Sequence, residues 1–386
     1  MTDNNTTVFQ REVPEKYWDV PDLLSEIPKY KKSPFADSFA DGLQSLLIRG
    51  YKRRRGEKNI NSSFPAPLST RTRGDFFAYF GLPQKKMPKG GFPGIVLIHG
   101  GGGTAFPRYI RSWIRKGYAV IALDWYNQRP VLQSANKNKV LKSVPLSGGK
   151  IQDHVANVAN MVLCHSLLRS FPEINPQKTA FVGLSWGSWY GAMLSAVDNR
   201  FQGGIEIYCG DVKRTENTFV NGRFNHAAKI PLYWIAGTTD QNMTLSSLNE
   251  AFNECPSLFN KTVVNHLPHW HGGFVFEACF RMAACFTQKK TGLPKLGKIE
   301  KKNNIVSAEI LEHGKGIKYA VLNYTDSTEN IYHERKWQSV AAKIEDNVIS
   351  AEIPAEAHHY YLSAYEKESK YHDICGSTET IIVKKS

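Results

Sequence analysis

The stretch that most constrains the fold of this chain is Gly183-Leu184-Ser185-Trp186-Gly187, a G-x-S-x-G pentapeptide. A short apolar run at residues 179–182 precedes it, and a helix-compatible segment at residues 188–197 follows it. Two glycines permit a sharp, strained turn between a strand and a helix, and such a turn exposes a serine hydroxyl at the strand end. The pentapeptide in this setting predicts a nucleophile elbow centred on Ser185.

From Gly94 onward, short apolar runs bounded by turns alternate with helical patterns. The runs occupy residues 95–98, 119–123, 180–182, 205–208, 232–236 and 262–264. Continuous apolar runs separated by helices are typical of a parallel sheet covered on both faces. We therefore expect an α/β domain over residues 71–290, with a mostly parallel central sheet flanked by helices. Residues 1–70, rich in proline, lysine and serine, are expected to form an irregular N-terminal extension.

The C-terminal part of the chain has a different periodicity. After a lysine- and glycine-bearing linker at residues 288–298, apolar and polar residues alternate, as in Val306/Ala308/Ile310 and Tyr360/Leu362/Ala364. A period of two over short segments separated by turns is typical of half-buried strands. The pattern predicts a small all-β sandwich domain over residues 296–386.

A serine nucleophile needs partners, because its hydroxyl is a poor nucleophile at neutral pH. A base must accept its proton, and an acid must orient that base. Asp240 is the candidate acid, since it ends the turn Gly237-Thr238-Thr239-Asp240 directly after the apolar run 232–236. The alternative for Asp240 is an ordinary turn or helix-capping aspartate, which is a common residue in such turns.

The base is expected on the loop 266–273, which carries His266, His269 and His271. His271 is the predicted base, because it lies deepest in the loop and is followed by two glycines that allow close backbone approach. His269 is the alternative base, or else a supporting partner of the base. The H-x-H spacing also suits a metal pair, but no third ligand with matching spacing appears, so no metal site is predicted.

Stabilising the negative charge of the reaction requires N–H donors aimed at the position where that charge develops. The residue after the nucleophile, Trp186, supplies one backbone N–H. The second is expected from the loop after the run 95–98, which reads His99-Gly100-Gly101-Gly102-Gly103-Thr104. Gly101 is the predicted donor and Gly102 the next choice. The glycine run lacks the G-K-[ST] ending of a phosphate loop, so no nucleotide cofactor is predicted.

Four further segments accompany these motifs: RKGYAVIALD at 115–124, HSLLRS at 165–170, LNYT at 322–325 and RKWQ at 335–338. Together they resemble acetylxylan-esterase-like members of the dienelactone hydrolase group of α/β-hydrolases, over roughly residues 70–386. Many bacterial members of the group carry a C-terminal β-domain. Two residues depart from the family pattern, since Ser188 and Trp270 stand where glycine is usual.

The resemblance implies an α/β-hydrolase fold and a serine esterase that removes acetyl groups from carbohydrate, such as acetylated xylan or xylo-oligosaccharides. Ser185 would attack the ester carbonyl, His271 would carry the proton and Asp240 would orient it, with no cofactor. Alternatives on the same fold are a lactone or dienelactone hydrolase, a general short-chain esterase and a peptidase. A non-catalytic carbohydrate-binding protein is the alternative from another class, and the complete Ser…Asp…His order argues against it.

The net charge of +14 raises the question of nucleic-acid binding. The basic residues are widely spread, however, and the compact run at residues 52–55 has no interleaved aromatic residues, so no nucleic-acid partner is predicted. No apolar run approaches the length of about 18 residues that a membrane span needs, and the oligomeric state is left open. Six scattered cysteines and the absence of a secretory pattern favour a cytoplasmic protein as given, or a secreted or periplasmic one if a leader has been removed.

Overall fold

The computed structural model describes residues 11–33, 41–51, 75–125, 154–209, 224–267, 269–328 and 334–382. Within these ranges the strands form two sheets of nine strands each. In chain order, the first sheet contains β1 (Tyr30–Lys32), β2 (Gln44–Arg49), β3 (Asp75–Gly81), β4 (Phe92–Ile98), β5 (Ala119–Leu123), β6 (Ile174–Leu184), β7 (Gly204–Ile207), β8 (Leu232–Gly237) and β9 (Leu258–Val264).

The strand order of the first sheet is β1-β2-β3-β5-β4-β6-β7-β8-β9. The strands from β4 to β9 pair in parallel, whereas β1, β2 and β3 join antiparallel to one another and to β5. Ile98, the last residue of β4, pairs with Gly183 near the end of β6. Because parallel strands end at the same edge of the sheet, the loops after β4, β6, β7, β8 and β9 meet there.

Helices cover both faces of this sheet, as the sequence predicts. They are α1 (Val20–Ser25), α2 (Pro107–Arg115), α3 (His154–Ser170), α4 (Trp186–Val197), α5 (Leu245–Glu254) and α6 (Glu277–Gln288), with short 3-10 turns at Pro14–Lys16, Asn225–Ala227 and His271–Val275. Alternate residues of β4 enter two different cores: Val96 packs with residues of α3 and α4, and Ile95 packs with residues of α2 and α6. The sheet is thus buried between two helical layers.

The expectation of an irregular segment at residues 1–70 is wrong for the described part of that segment. β1 and β2 extend the central sheet beyond β3, and Leu46 and Ile48 of β2 are fully buried. Further upstream, the Trp18 indole N–H donates to the carbonyl of Val155 on α3 at 2.9 Å. The N-terminal segment is therefore part of the α/β domain.

The second sheet is all-antiparallel, as predicted for the C-terminal domain. Its strands are β10 (Lys295–Leu296), β11 (Glu300–Lys302), β12 (Ile305–Glu312), β13 (Tyr319–Thr325), β14 (Gln338–Glu345), β15 (Val348–Glu352), β16 (His359–Tyr365), β17 (Cys375–Ser377) and β18 (Ile381–Ile382). The first half of β14 pairs with β13 and its second half with β15. This shared strand makes the series continuous around one apolar core, which includes Leu322, Ile349 and Leu362.

The two domains pack closely, and β16 has both of its faces buried. Tyr360 and Leu362 point into the C-terminal core, whereas Tyr361 packs with the core of the α/β domain. At the outer edge of the first sheet, the backbone N–H of Val263 on β9 donates to Ser377 Oγ on β17 at 3.0 Å. A side chain of the second domain thus satisfies a backbone donor of the edge strand.

None of the helices in the described ranges is long and apolar enough to cross a membrane.

Candidate active site

Ser185 occupies the turn between β6 and α4, and its backbone is strained. Its φ of 55° and ψ of −116° are values that residues other than glycine rarely adopt. The two glycines explain why the turn forms. A Cβ atom on Gly183 would lie 2.3 Å from the carbonyl oxygen of Gly187, and a Cβ atom on Gly187 would lie 2.0 Å from that of Ile98. Only glycine at both positions lets the turn pack against itself and against the end of β4.

Ser188, one of the departures from the family pattern, supports this turn. Its hydroxyl donates to the carbonyl oxygen of Ser185 at 2.7 Å and also lies 3.2 Å from the carbonyl oxygen of Tyr208. The residue is buried, so these bonds satisfy a hydroxyl that would otherwise be unpaired in the core. The serine at this position therefore links the elbow to the end of β7 through its hydroxyl.

Ser185, His269 and Asp240 form a continuous chain of hydrogen bonds. The Ser185 Oγ lies 2.8 Å from His269 Nε2, and His269 Nδ1 lies 2.7 Å from Asp240 Oδ2. The other carboxylate oxygen of Asp240 accepts bonds from the backbone N–H groups of Asn242 and Met243, at 2.8 and 3.0 Å. The Asp240 carboxylate can only accept a hydrogen bond, so His269 Nδ1 carries the ring proton. His269 Nε2 is then left to accept the proton of the Ser185 hydroxyl.

Tyr208, which sequence reasoning missed, holds the His269 ring from one side. The two rings stack with centroids 4.5 Å apart and an interplanar angle of 25°. Tyr208 follows β7 with a φ of 55°, which turns its side chain toward the site. A positive φ at a tyrosine leaves no trace in a hydrophobic pattern, so the sequence carried no signal for this contact.

The geometry corrects the assignment of His271 as the base. His271 starts the 3-10 turn after Trp270, and its ring packs edge-on against Phe106 at 5.0 Å between centroids. Its Nε2 is buried without a hydrogen bond in the described part of the chain, and it lies 2.7 Å from the position a Cβ atom on Gly103 would take. Burial, with nearby His99, His269 and Arg108, lowers the pKa of His271. His271 therefore lies against the glycine-rich loop and does not reach Ser185.

The sequence suggests that the two glycines after His271 allow a close backbone approach for that histidine, but in the structure they have a different purpose. A Cβ atom on Gly272 would lie 2.4 Å from the indole of Trp270, and one on Gly273 would lie 2.8 Å from Ile207. They make room for an indole and for the end of β7, and they do not bring His271 closer to the serine.

The glycine-rich loop after β4 lies directly beside the elbow. A Cβ atom on Gly100 would lie 3.1 Å from that of Ser185, and one on Gly101 would lie 2.7 Å from the Trp186 indole. The loop closes on itself through a bond from the Gly103 N–H to the Gly100 carbonyl at 3.1 Å, with Gly102 at a φ of 67°. The predicted donor residues Gly101 and Trp186 are thus neighbours, next to the serine.

The indoles near the elbow differ in exposure. Trp189 is 3% exposed and belongs to the core, whereas Trp270 is 41% exposed. Trp186 is half-buried and stacks parallel to His154, with ring centroids 6.3 Å apart. Burial lowers the pKa of His154 to about 3, so this ring is neutral at physiological pH.

Within the described residues, no cluster of three or more His, Cys, Asp or Glu side chains could hold a metal ion.

A parallel sheet flanked by helices, with a serine on a strained strand-to-helix turn at its edge, defines the α/β-hydrolase class. The model of the dienelactone hydrolase family matches residues 76–271, which is just over half of the chain. The chain belongs to the dienelactone hydrolase family, and hydrolysis is therefore its class of reaction. No curated protein sequence matches it significantly.

Solved structures similar to this chain include esterases and a peptidase. Acetyl xylan esterase from Paenibacillus sp. R4 is 14% identical, with a TM-score of 0.47 over 69% of this chain and 92% of that one. Acetyl xylan esterase 1 from Thermoanaerobacterium sp. JW/SL YS485 is 16% identical, with a TM-score of 0.43 over 72% and 94%. A puromycin-hydrolyzing peptidase from Mycobacterium tuberculosis is 13% identical, with a TM-score of 0.42 over 67% and 45%.

Proposed function

We propose that the protein is a serine carboxylic-ester hydrolase in which Ser185 is the nucleophile, His269 the general base and Asp240 the acid that orients it. The observation that carries the proposal is the hydrogen-bonded chain Ser185–His269–Asp240, with both contacts below 3 Å. As Ser185 Oγ attacks the ester carbonyl, its proton passes to His269 Nε2. The imidazolium that forms is stabilised by the buried carboxylate of Asp240.

The attack converts the carbonyl oxygen into an oxyanion, which needs donors that are already in position. The backbone N–H groups of Trp186 and Gly101 are the proposed donors. Trp186 directly follows Ser185, and Gly101 lies against the Trp186 indole in the loop after β4, the strand that pairs with β6. His269 then returns its proton to the leaving alcohol, and the acyl group remains on Ser185. Water, activated by the same histidine, releases the acid and restores the serine.

The proposed substrates are short acyl esters of carbohydrates, with acetylated xylan or xylo-oligosaccharides as the leading case. The loop motifs that resemble acetylxylan-esterase-like proteins support this choice. The bulky indole of Trp186 beside Gly101 also supports it, because a ring next to the oxyanion donors leaves space for a small acyl group. The exposed indole of Trp270 offers an apolar ring face of the kind on which a sugar ring stacks.

A direct test combines p-nitrophenyl acetate with acetylated xylo-oligosaccharides, and it uses Ser185→Ala as the matched control. The wild-type protein is expected to release p-nitrophenol and acetate, and Ser185→Ala to lower both rates by several orders of magnitude. Activity of Ser185→Ala above about a tenth of wild type would remove Ser185 from the nucleophile role. Ser185-dependent cleavage of p-nitrophenyl acetate without acetate release from the sugars would keep the esterase and reject the carbohydrate substrate.

A further inference from the structure

His99, the first residue after β4, is a buried histidine beside the elbow. Its Nδ1 lies 2.8 Å from the carbonyl oxygen of Gly100, and its ring is 2% exposed. A carbonyl oxygen accepts hydrogen bonds and never donates them, so Nδ1 must carry the proton in this contact.

The other ring nitrogen also faces an acceptor. His99 Nε2 lies 3.2 Å from Oδ1 of Asp124, which follows β5 and is fully buried. This contact is within ion-pair distance, but it does not have hydrogen-bond geometry, so Nε2 has no hydrogen-bond partner in the described part of the chain. The ring also lies flat on Trp125, with centroids 5.0 Å apart and an interplanar angle of 11°, so the indole fixes the plane of the imidazole.

The bond from His99 to Gly100 determines where the next N–H group points. In a trans peptide unit the carbonyl of one residue and the N–H of the following residue point in opposite directions. The Gly100 carbonyl is held by His99 Nδ1 on one side and by the Gly103 N–H at 3.1 Å on the other. The Gly101 N–H is therefore directed away from both, although glycine would leave it free to rotate.

We propose that His99, kept in place by Asp124, is a positioning residue that aims the Gly101 N–H at the oxyanion. This inference rests on the proposed esterase function, because the oxyanion forms only in that reaction. It also restrains the glycine-rich loop: four consecutive glycines have no preferred conformation, and the bond from the buried His99 ring to the Gly100 carbonyl supplies one.

The test compares variants that keep or remove the donor at Nδ1. The side-chain amide of His99→Asn can place its N–H where Nδ1 stands, whereas His99→Leu has no donor. With p-nitrophenyl acetate, we expect His99→Leu to lower kcat about 100- to 1,000-fold with KM changed less than about threefold, as for loss of one oxyanion donor. His99→Asn should stay within about tenfold of wild type.

His165, buried between Asp198 and Thr179, is the matched control: His165→Leu should lower Tm and leave kcat unchanged.

Equal kcat values for folded His99→Leu and wild type would overturn the proposal, and so would equal losses in His99→Leu and His99→Asn. If His99→Leu does not fold, the smaller His99→Ala replaces it with the same expected loss. Failure of both to fold, while His99→Asn folds, would assign His99 a purely structural role and overturn the proposal. A wild-type protein whose hydrolysis does not depend on Ser185 would instead refute the esterase function itself, so the two failures are distinguishable.

Discussion

Replacing His269 should abolish catalysis, and replacing its near neighbour His271 should not. His269→Ala removes both the acceptor 2.8 Å from Ser185 Oγ and the link 2.7 Å from Asp240. Losing the base of a triad lowers kcat by about 10⁴- to 10⁶-fold, which corresponds to about 5–8 kcal/mol of activation free energy. Initial rates with p-nitrophenyl acetate, measured over a range of substrate concentrations, give kcat and KM separately.

His271→Asn is the matched control, because it changes the same residue type only two positions away. Its ring contacts Phe106 and the glycine-rich loop, so we expect a loss of no more than about tenfold. Circular dichroism and Tm should show that both variants fold. The reverse ranking, in which His271→Asn approaches Ser185→Ala and His269→Ala remains active, would refute the assignment of His269.

Three further predictions concern the acyl group, the elbow and pH. Acetyl esters should exceed octanoyl esters in kcat/KM by about 100-fold or more, and rates that rise with chain length would contradict a small acyl pocket. Gly187→Ala should lower stability by about 3 kcal/mol or more, because its Cβ would lie 2.0 Å from the Ile98 carbonyl oxygen, and an unchanged Tm would contradict this. Burial lowers the pKa of His154 from 6.5 to about 3, so the stability it contributes is complete above pH 6.5 and falls with pH below that value. Denaturant unfolding should show a loss of about 2 kcal/mol between pH 7 and pH 5, and the loss should be correspondingly smaller in His154→Gln.

The central sheet could be predicted because its strands are buried on both faces. The apolar run at residues 119–123 coincides with β5, and the run at 232–236 differs from β8 by one residue. β1 could not be predicted in this way, since all three of its residues are exposed. Such an edge strand forms because its backbone pairs with a neighbour, and hydrophobic periodicity does not record that pairing.

The base could be predicted to lie on the loop after β9, but the choice of histidine depends on local conformation. Trp270 is extended, with φ of −157° and ψ of 160°, and the chain then turns into the 3-10 segment that starts at His271. The turn sends His271 toward Phe106 and leaves His269 facing Ser185. Two histidines separated by one residue look equivalent in a sequence, because the bend between them depends on packing around Gly272 and Gly273.

The contact between β9 and the C-terminal domain bears on why the two domains stay together. β9 is the last strand of its sheet, and an uncovered strand of this kind is a template on which other chains can pair and aggregate. The Ser377 hydroxyl accepts a hydrogen bond from the Val263 N–H, and the Thr262 hydroxyl donates to the Cys375 carbonyl at 2.5 Å. A chain cut before β10 would lose this cover and present a bare, apolar edge to its neighbours. The C-terminal domain thus covers an edge that would otherwise be open to strand pairing, and this role does not depend on binding a sugar.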